Sequence, residues 1–541
     1  MHSIGRERPM TDASRRIALA RLGLGLCALA TRRLSAMAAS VDRPDRDPAS
    51  AAPFARALRI PADRGLLAER RLDRPIDLTA RVDVLPVFTG HSTGVWNFAA
   101  TSKGLVANDP LLVARRGDRI DVTLVNLLGQ DTTIHWHGIG NDEANDGSGL
   151  HPVRHGERYR YAFEVRERAG LYWYHAHPHF RTGEQVQHGL ASLLLVEDPE
   201  ELALRERLGL PWCVRDLPLL VADKQLGRNN ELVYKAGADD WIGNRVVVNW
   251  TPEPHVDAER GPYRLRIANA SNARMFKLAF VRGSDNMPFH LLGTDGGLLE
   301  RPIAATQAYL APAQRLDLLV DLGHTEPGDR VRLRSLAFDP MENDATAAGE
   351  DPMLEHPGAP AMGARMDLME FRMGRTRMPP VALPARLCSP LAPTTRKPDA
   401  TRAFRLHISD RGRWLINDWN FLVHPHAHEP SFTVKRGAHE IWEFANEFRS
   451  MPHPIHLHGF HFRVLERRNS PPQVRALAVA SHGRTAQDAG MLDTVVVWPG
   501  ERVRIAIDFA QPFSGTQRYM LHCHNLEHED QGMMVTFAVV D

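Results

Sequence analysis

The sequence predicts an all-β protein in which three β-sandwich domains follow one another along the chain. Apolar residues alternate with polar ones in short segments, as Ile120, Val122 and Leu124 do, and Gly, Asn and Pro turns separate these segments. The chain has 541 residues, a length that favours several domains. An internal repeat relates its two ends.

The repeat has two parts. Residues 117–126 and 437–446 each run from a glycine to an asparagine nine positions later, and a histidine-rich motif follows each of them. Residues 172–177 and 519–524 also match, with an alanine in the first copy where the second has Cys523. The first and last domains are therefore predicted to be copies of one β unit. The predicted boundaries are a signal peptide at 1–38, a first domain at 60–200, a second at 213–340, a methionine-containing linker or insert at 341–400, and a third domain at 401–541.

The motif His522-Cys523-His524 is predicted to connect two metal sites. Successive side chains of a β-strand point to opposite faces, so the two histidines face one way and Cys523 the other. A thiolate with two imidazoles and a weak axial thioether is the ligand set of a blue-copper site. Cys523, His528 and Met533 supply three of these four ligands.

The fourth ligand is predicted in residues 453–459, which read His-Pro-Ile-His-Leu-His-Gly. By strand parity His456 and His458 share one face and His453 lies on the other, although Pro454 makes regular strand geometry uncertain. Two further His-x-His pairs lie upstream. Eight histidines could therefore form a cluster of about three metals: His135, His137, His175, His177, His456, His458, His522 and His524. Zinc also binds His and Cys, but it has no use for an axial Met.

These motifs resemble those of the multicopper oxidases, which include laccases, bilirubin oxidases and bacterial cuprous oxidases. The family pattern H-x-H-G, H-x-H, H-x-x-H-x-H and H-C-H-x3-H-x4-Met occurs here in order over residues 135–533. The resemblance implies cupredoxin-like Greek-key β-sandwich or barrel domains and four copper ions. By the family pattern the type 1 copper is bound by His453, Cys523, His528 and Met533, the type 2 copper by His135 and His456, and the two type 3 coppers by His137, His175 and His524 and by His177, His458 and His522.

The family also implies the reaction. Four one-electron oxidations at the type 1 copper are coupled, through Cys523, to the reduction of O2 to two waters at the three-copper cluster. Asp146 matches the family's cluster-side aspartate and Glu529 a second acid used for proton delivery, with a surface or capping carboxylate as the alternative for each. The middle region, which has no His-x-His pair, resembles the copper-free second domain and is predicted to set the spacing between the outer two.

The N-terminal residues are predicted to direct export. Residues 14–19 resemble a twin-arginine motif, and an apolar run to Ala30 and a cleavage candidate at 36–38 follow. The run is too short and too interrupted to span a membrane. We therefore expect transport of the folded protein by the twin-arginine machinery to the periplasm or the exterior. With Lys+Arg 66 against Asp+Glu 65, the charge gives no indication of nucleic-acid binding.

Several residues outside these motifs allow two interpretations. Cys213 and Cys388 could form a disulfide or remain free thiols. The seven methionines of 341–378 are expected to pack in a core, with Cu(I) docking as the alternative. The remaining histidines near the motifs are expected to be solvated: His151, His155, His179, His188, His424, His426 and His428.

Three functions follow from the sequence. The leading one is laccase-like oxidation of phenols or other organic one-electron donors. The second is oxidation of Cu(I), Mn(II) or Fe(II) in copper tolerance, but cuprous oxidases have an acid where this chain has Arg449. The third, a non-catalytic cupredoxin scaffold, is disfavoured because every copper ligand of the family pattern is present.

Overall fold

The computed structural model describes residues 53–237, 239–343, 358–391, 396–424 and 426–541. The predicted signal peptide and its twin-arginine motif lie outside these residues. The described chain forms paired β-sheets with few helices, so the predicted all-β fold is confirmed. Within the described part of the chain, no helix is long and apolar enough to cross a membrane.

The first region is a sandwich of two sheets. Its strands are β1 (Gly65–Leu66), β2 (Glu69–Arg71), β3 (Ile76–Leu85), β4 (Thr93–Ser102), β5 (Leu105–Asn108), β6 (Leu111–Arg115), β7 (Arg119–Asn126), β8 (His135–His137), β9 (Arg158–Glu164), β10 (Gly170–His175) and β11 (Ala191–Glu197). The sheet orders are β1-β5-β4-β3-β7-β9 and β2-β6-β11-β10-β8. Ile120, Val122 and Leu124 all point into the core between the sheets, as their alternation predicts.

The middle region is a second sandwich. Its strands are β12 (Asp216–Lys224), β13 (Arg245–Val248), β14 (Thr251–Pro252), β15 (His255–Arg260), β16 (Pro262–Asn269), β17 (Phe276–Arg282), β18 (Asp285–Met287), β19 (Phe289–Thr294), β20 (Gly297–Ala305), β21 (Ala308–Leu310), β22 (Arg315–Asp321), β23 (Arg330–Ser335) and β24 (Met366–Arg377). One sheet has the order β14-β13-β12-β16-β22-β19-β20, and the other has β15-β24-β23-β17-β18 with β21 beside β17.

Strand β24 lies inside the segment predicted as a linker or insert. It pairs with β15 and β23, so residues 366–377 belong to the sheet of the middle region. Met369 and Met373 are buried in that region's core, in agreement with the expected core packing. Residues 344–357, with Met353, are not among the described residues.

The last region repeats the two-sheet plan. Its strands are β25 (Ala400–Ile408), β26 (Trp414–Ile416), β27 (Phe432–Lys435), β28 (His439–Asn446), β29 (His453–Leu457), β30 (Phe462–Arg468), β31 (Thr494–Val497), β32 (Arg502–Asp508), β33 (Gln517–Cys523) and β34 (Met534–Val540). The sheet orders are β26-β25-β28-β32-β30 and β27-β34-β33-β29-β31. Strand β29 continues through Pro454, so the proline does not interrupt the predicted strand.

Short helices connect the strands and join the regions. They are α1 (Glu143–Asp146), α2 (Thr182–His188), α3 (Pro199–Leu208), α4 (Pro472–Arg475) and α5 (Leu526–Asp530), with a 3₁₀ helix at Ala486–Ala489. In α3, the buried Glu201 forms ion pairs with Arg264 and Arg266 of β16, which fix this connecting helix to the middle region. Cys213 and Cys388 are free thiols.

Candidate metal centre

Strand β33 separates the two predicted metal sites. It pairs with β29, so that His522 lies opposite His456 and Cys523 lies opposite Ile455. All of these residues are buried. Because side chains alternate along the strand, the Cys523 thiol points into the core of the last region while the rings of its neighbours point toward the first region. The predicted ligands accordingly form two groups.

The first group surrounds the Cys523 sulfur. The Nδ1 atoms of His453 and His528 lie 3.5 Å and 3.7 Å from Sγ, and the backbone N–H of Asn525 donates to Sγ at 3.4 Å. Met533 is fully buried in the same core. Burial raises the pKa of the Cys523 thiol well above its usual range, so a bound cation is needed to hold it as a thiolate.

The outer nitrogen of each of these two histidines faces away from the sulfur. His453 Nε2 lies 2.9 Å from Ser450 Oγ, and His528 Nε2 lies 3.8 Å from Asp239 Oδ1 and 3.7 Å from Asp240 Oδ1. Trp414 stacks on the His528 ring at 4.3 Å and donates its Nε1–H to Asp239 at 2.7 Å. Carboxylates of the middle region therefore lie at the edge of His528.

The second group is the eight-histidine cluster, in which every side chain is at most 1 % exposed. The first and last regions contribute four histidines each, and their rings meet: His135 Nε2 is 3.4 Å from His456 Nε2, and His177 Nε2 is 3.4 Å from His522 Nε2. The ring of His524 lies 5.0 Å from that of His137, between centroids. Neither region alone could form this cluster.

Oxygen acceptors hold one nitrogen of most cluster rings, and the second nitrogen of these rings faces another histidine or is unpartnered within the described residues. The held atoms are Nδ1 of His135 (on Asp146 O), His175 (on Ala176 O), His456 (on Asp493 O), His458 (on Asp146 Oδ2) and His522 (on Cys523 O), and Nε2 of His137 (on Asp493 Oδ1). An oxygen acceptor fixes the proton on the nitrogen it faces, so the other nitrogen carries a lone pair. This is the arrangement that metal-bound histidines show.

Two further observations test whether a metal fits here. Burial and the neighbouring histidines lower the pKa of His135 and His456 well below its usual range, so these rings are neutral, which is their ligating form. Within the described residues, His137 Nδ1, His175 Nε2 and both ring nitrogens of His524 are buried without a hydrogen-bond partner. Buried polar atoms are seldom unpaired, and a bound metal ion accounts for them. Eight buried imidazoles and a separate thiol–imidazole–thioether pocket fit copper.

Both predicted acids contact the cluster. Asp146, at the end of α1, accepts from His458 Nδ1 at 2.8 Å, and burial raises the pKa of its carboxyl. Glu529 in α5 lies 3.2 Å from His522 Nδ1 and accepts from Thr182 Oγ1 at 2.6 Å. Burial opposes the ionisation of Glu529, but the nearby histidines His177 and His522 outweigh it and lower its pKa.

Sequence reasoning missed Asp493 and Arg315. Asp493 is buried between His137 and His456 and forms an ion pair with Arg315 of β22. Burial raises the pKa of Asp493, but Arg315 outweighs this effect and keeps it well below its usual range. No spacing rule marks either residue, since an aspartate outside the histidine motifs resembles any strand-end acid. The one signal is Gly138, whose conformation (φ +84°) leaves room for both side chains.

The histidines outside the predicted ligand set differ in their exposure to solvent. His426 and His428 are exposed, as expected for a solvated loop, and His424 stacks on Trp419 at 3.5 Å. His179 is half-buried and therefore less solvated than expected. Its ring packs against Phe421, and burial lowers its pKa to about 3.

Comparisons with known proteins agree with this geometry. Two family models, both described as multicopper oxidase, match residues 104–201 and 396–541. The laccase of Bacillus subtilis is 30% identical over 76% of this chain and 80% of its own length. A multicopper oxidase of Staphylococcus aureus is 28% identical over 79% of this chain and 80% of its own length.

A solved structure extends the similarity to the fold. The McoA multicopper oxidase of the hyperthermophile Aquifex aeolicus superposes with a TM-score of 0.79 at 33% identity, covering 90% of this chain and 99% of that one. The paired sheets of the chain are therefore cupredoxin-like domains. The chain belongs to the multicopper oxidase family and is a copper-dependent oxidoreductase that uses O2 as electron acceptor.

Proposed function

We propose that the chain binds four copper ions in two sites. His453, Cys523, His528 and Met533 hold the type 1 copper. The close approach of the two Nδ1 atoms to the Cys523 sulfur supports this assignment. Residues 60–200 and 401–541 act as the copper-binding domains, with 213–340 and β24 between them.

The eight remaining histidines hold the other three coppers. His135 and His456 hold the type 2 copper, while His137, His175 and His524, and His177, His458 and His522, hold the two type 3 coppers. The contacts between the first and last regions support this division, because His135 meets His456 and His177 meets His522. Bound copper supplies one-electron oxidation of a donor at the first site and four-electron reduction of O2 to water at the second.

The observation that carries the proposal is the position of Cys523. Its thiol lies in one site, and the two residues covalently bonded to it place their rings in the other. Asp146 orients His458 through its Nδ1–H. Asp146, whose pKa burial raises, and the ionised Glu529 lie next to the cluster as the carboxyl groups that would pass on the protons consumed by the reduction of O2.

The proposed donors are phenols or other organic one-electron reductants, in agreement with the similarity to a laccase. Oxidation of a metal ion is the second candidate. It is supported by Asp239, whose half-exposed carboxylate lies 3.8 Å from His528 Nε2, since carboxylates attract cations. Asp240 lies at a similar distance, but burial raises the pKa of its carboxyl well above its usual range. The non-catalytic scaffold is disfavoured because both metal sites have complete ligand sets.

Removing the charge of Asp239 distinguishes the donor classes. If metal ions dock there, Asp239→Asn raises KM for Fe(II) or Cu(I) about fivefold, as expected for roughly 1 kcal/mol at a half-exposed carboxylate, and leaves KM for a neutral phenol unchanged. Asp285→Asn serves as the control, because Asp285 is an exposed aspartate of β18 in the same region and is not one of the two carboxylates beside His528. A wild type that oxidises phenols and no metal ion supports the laccase-like function. A copper-loaded wild type that oxidises neither class contradicts both.

We further propose that residues 1–38 are a twin-arginine signal that exports the folded protein to the periplasm or the exterior. The paired Arg15 and Arg16 support this proposal. Fusing 1–38 to a folded reporter tests it. Export is expected with the native pair and lost when both arginines are replaced by lysine.

A further inference from the structure

Arg315 comes from the copper-free middle region, yet its guanidinium contacts all three regions. Its Nε–H donates to Leu171 O of the first region at 3.2 Å. Its Nη1 and Nη2 donate to the two carboxylate oxygens of Asp493 in the last region at 2.9 Å and 2.5 Å. Within its own region it donates to Ala313 O and Asp295 O. The side chain is 1 % exposed, so every contact lies in the interior.

Asp493 connects Arg315 to the histidine cluster. Its Oδ1 accepts from His137 Nε2 at 3.0 Å and from Thr494 Oγ1 at 2.9 Å, and its carbonyl oxygen accepts from His456 Nδ1 at 2.9 Å. Arg315 holds both carboxylate oxygens in a bidentate pair, a geometry that fixes direction as well as charge. Asp493 therefore orients the two histidines.

The orientation decides which nitrogen of His137 is available. Because Asp493 faces Nε2, the proton lies there and the buried Nδ1 keeps its lone pair. The other held rings of the cluster have the opposite arrangement, with Nδ1 on the acceptor. The tautomer of His137 is thus set by the Asp493 carboxylate, and the direction of that carboxylate is set by Arg315.

The packing leaves little freedom at this point. A Cβ on Gly138 would lie 2.5 Å from Asp493 Oδ2, 2.7 Å from Arg315 Nη2 and 3.0 Å from Tyr172 Cδ1. The Arg315 guanidinium also lies 5.6 Å from the Tyr172 ring centroid. The glycine of the His-Trp-His-Gly motif makes the space that the ion pair occupies.

We propose that Arg315 is a positioning residue for the copper cluster. Through Asp493 the middle region sets the tautomer of His137 and the direction of His456, one from each half of the cluster. The copper-free region is then part of the site and more than a spacer. The inference rests on the proposed copper binding by the eight histidines.

The test uses the copper-loaded full chain and three variants. Arg315→Met removes the contact, Arg315→Lys keeps the charge but loses the bidentate geometry, and Arg264→Met is the control. Arg264 is an equally buried arginine of the same region, held by Glu201 and Asp317 away from the cluster. The measurements are copper per chain during titration with a chelator, the type 2 copper spectrum by electron paramagnetic resonance, the blue absorption of the Cys523 site, and the unfolding temperature.

We expect both Arg315 variants to keep the blue absorption and to lose cluster copper at roughly 10- to 100-fold lower chelator concentration than the wild type. Their type 2 spectrum shifts. Arg264→Met lowers the unfolding temperature but keeps copper retention and the spectrum. If Arg315→Met does not fold, Arg315→Lys decides by the same readouts.

Two results overturn the inference. One is wild-type copper retention and spectrum in both Arg315 variants, or in Arg315→Lys when it alone folds. The other is equal copper loss in Arg264→Met, which would reduce the effect to general destabilisation. A wild type without the four coppers refutes the proposed function itself, and the inference falls with it.

Discussion

Replacing Gly147 with alanine should displace a copper ligand without changing any ligand residue. Gly147 follows Asp146 and has φ +76°, and a Cβ built there lies 1.7 Å from the carbonyl oxygen of Ile134. Real Cβ contacts are essentially never shorter than 3.0 Å, so the backbone at Ile134 must move by about 1.3 Å, the difference between 3.0 and 1.7 Å. Since His135 follows directly, its ring moves too. Metal ligands tolerate about 0.2 Å, so the shift is several times too large.

Gly437 provides the matched control. It has φ +75°, and a Cβ there meets nothing within 4 Å. Both substitutions incur the same strain of a left-handed alanine, about 1 kcal/mol, and only Gly147→Ala adds the backbone collision. We expect Gly437→Ala to keep full copper and a normal type 2 spectrum, measured by elemental analysis and electron paramagnetic resonance. Gly147→Ala should keep the blue absorption and lose cluster copper. Equal copper content and equal spectra in the two variants would refute this reasoning.

Three further predictions concern other parts of the molecule. Burial opposes ionisation of Glu143, but hydrogen bonds from His151 and Arg518 outweigh it and lower its pKa from 4.5 to about 2. Between about pH 4.5 and 2 the unfolded state therefore binds more protons than the folded state. The stability that ionised Glu143 contributes is present above about pH 4.5 and is lost as pH falls toward 2. The unfolding temperature measured from pH 6 to 2.5 should therefore depend less on pH in Glu143→Gln than in the wild type. Ser450→Ala removes the hydrogen-bond partner of His453 Nε2, so the imidazole becomes a weaker electron donor to the type 1 copper. Because a weaker donor stabilises Cu(II) less, redox titration should show a higher type 1 reduction potential with copper retained. An unchanged potential would contradict this. Removing copper with a chelator should lower the unfolding temperature, because both sites are assembled only in the folded chain. At a free copper concentration 100 times Kd, one such site raises the free energy of unfolding by at most about 2.7 kcal/mol. Identical calorimetric transitions for the two forms would contradict this.

Local periodicity explains what the sequence could predict. Cys523 and His522 point to opposite faces because successive side chains alternate along a strand, and the same alternation places His453 and His456 on opposite faces. The structure shows both strands, β33 and β29, in the paired form that this argument needs. The repeated unit likewise placed four histidines in each outer region.

Contacts between distant segments could not be predicted in this way. Arg315 and Asp493 form an ion pair although 178 positions separate them in the sequence. Neither their residue types nor their spacing distinguishes them from charged residues on the protein surface. His179 was expected in solvent because it follows a motif in a loop, but the last region covers it with Phe421. For the methionines of β24 the sequence allows core packing or Cu(I) docking, and the pairing of β24 with β15 and β23 places Met369 and Met373 in the core.

The proposed connection of two copper sites through Cys523 can be measured by visible absorption. The copper-loaded protein should show an intense band near about 600 nm, from the thiolate bound to copper. In Cys523→Ser the band should disappear while the eight histidines still retain the cluster coppers. A wild type that holds four coppers without this band, or a band that persists in Cys523→Ser, would contradict the account.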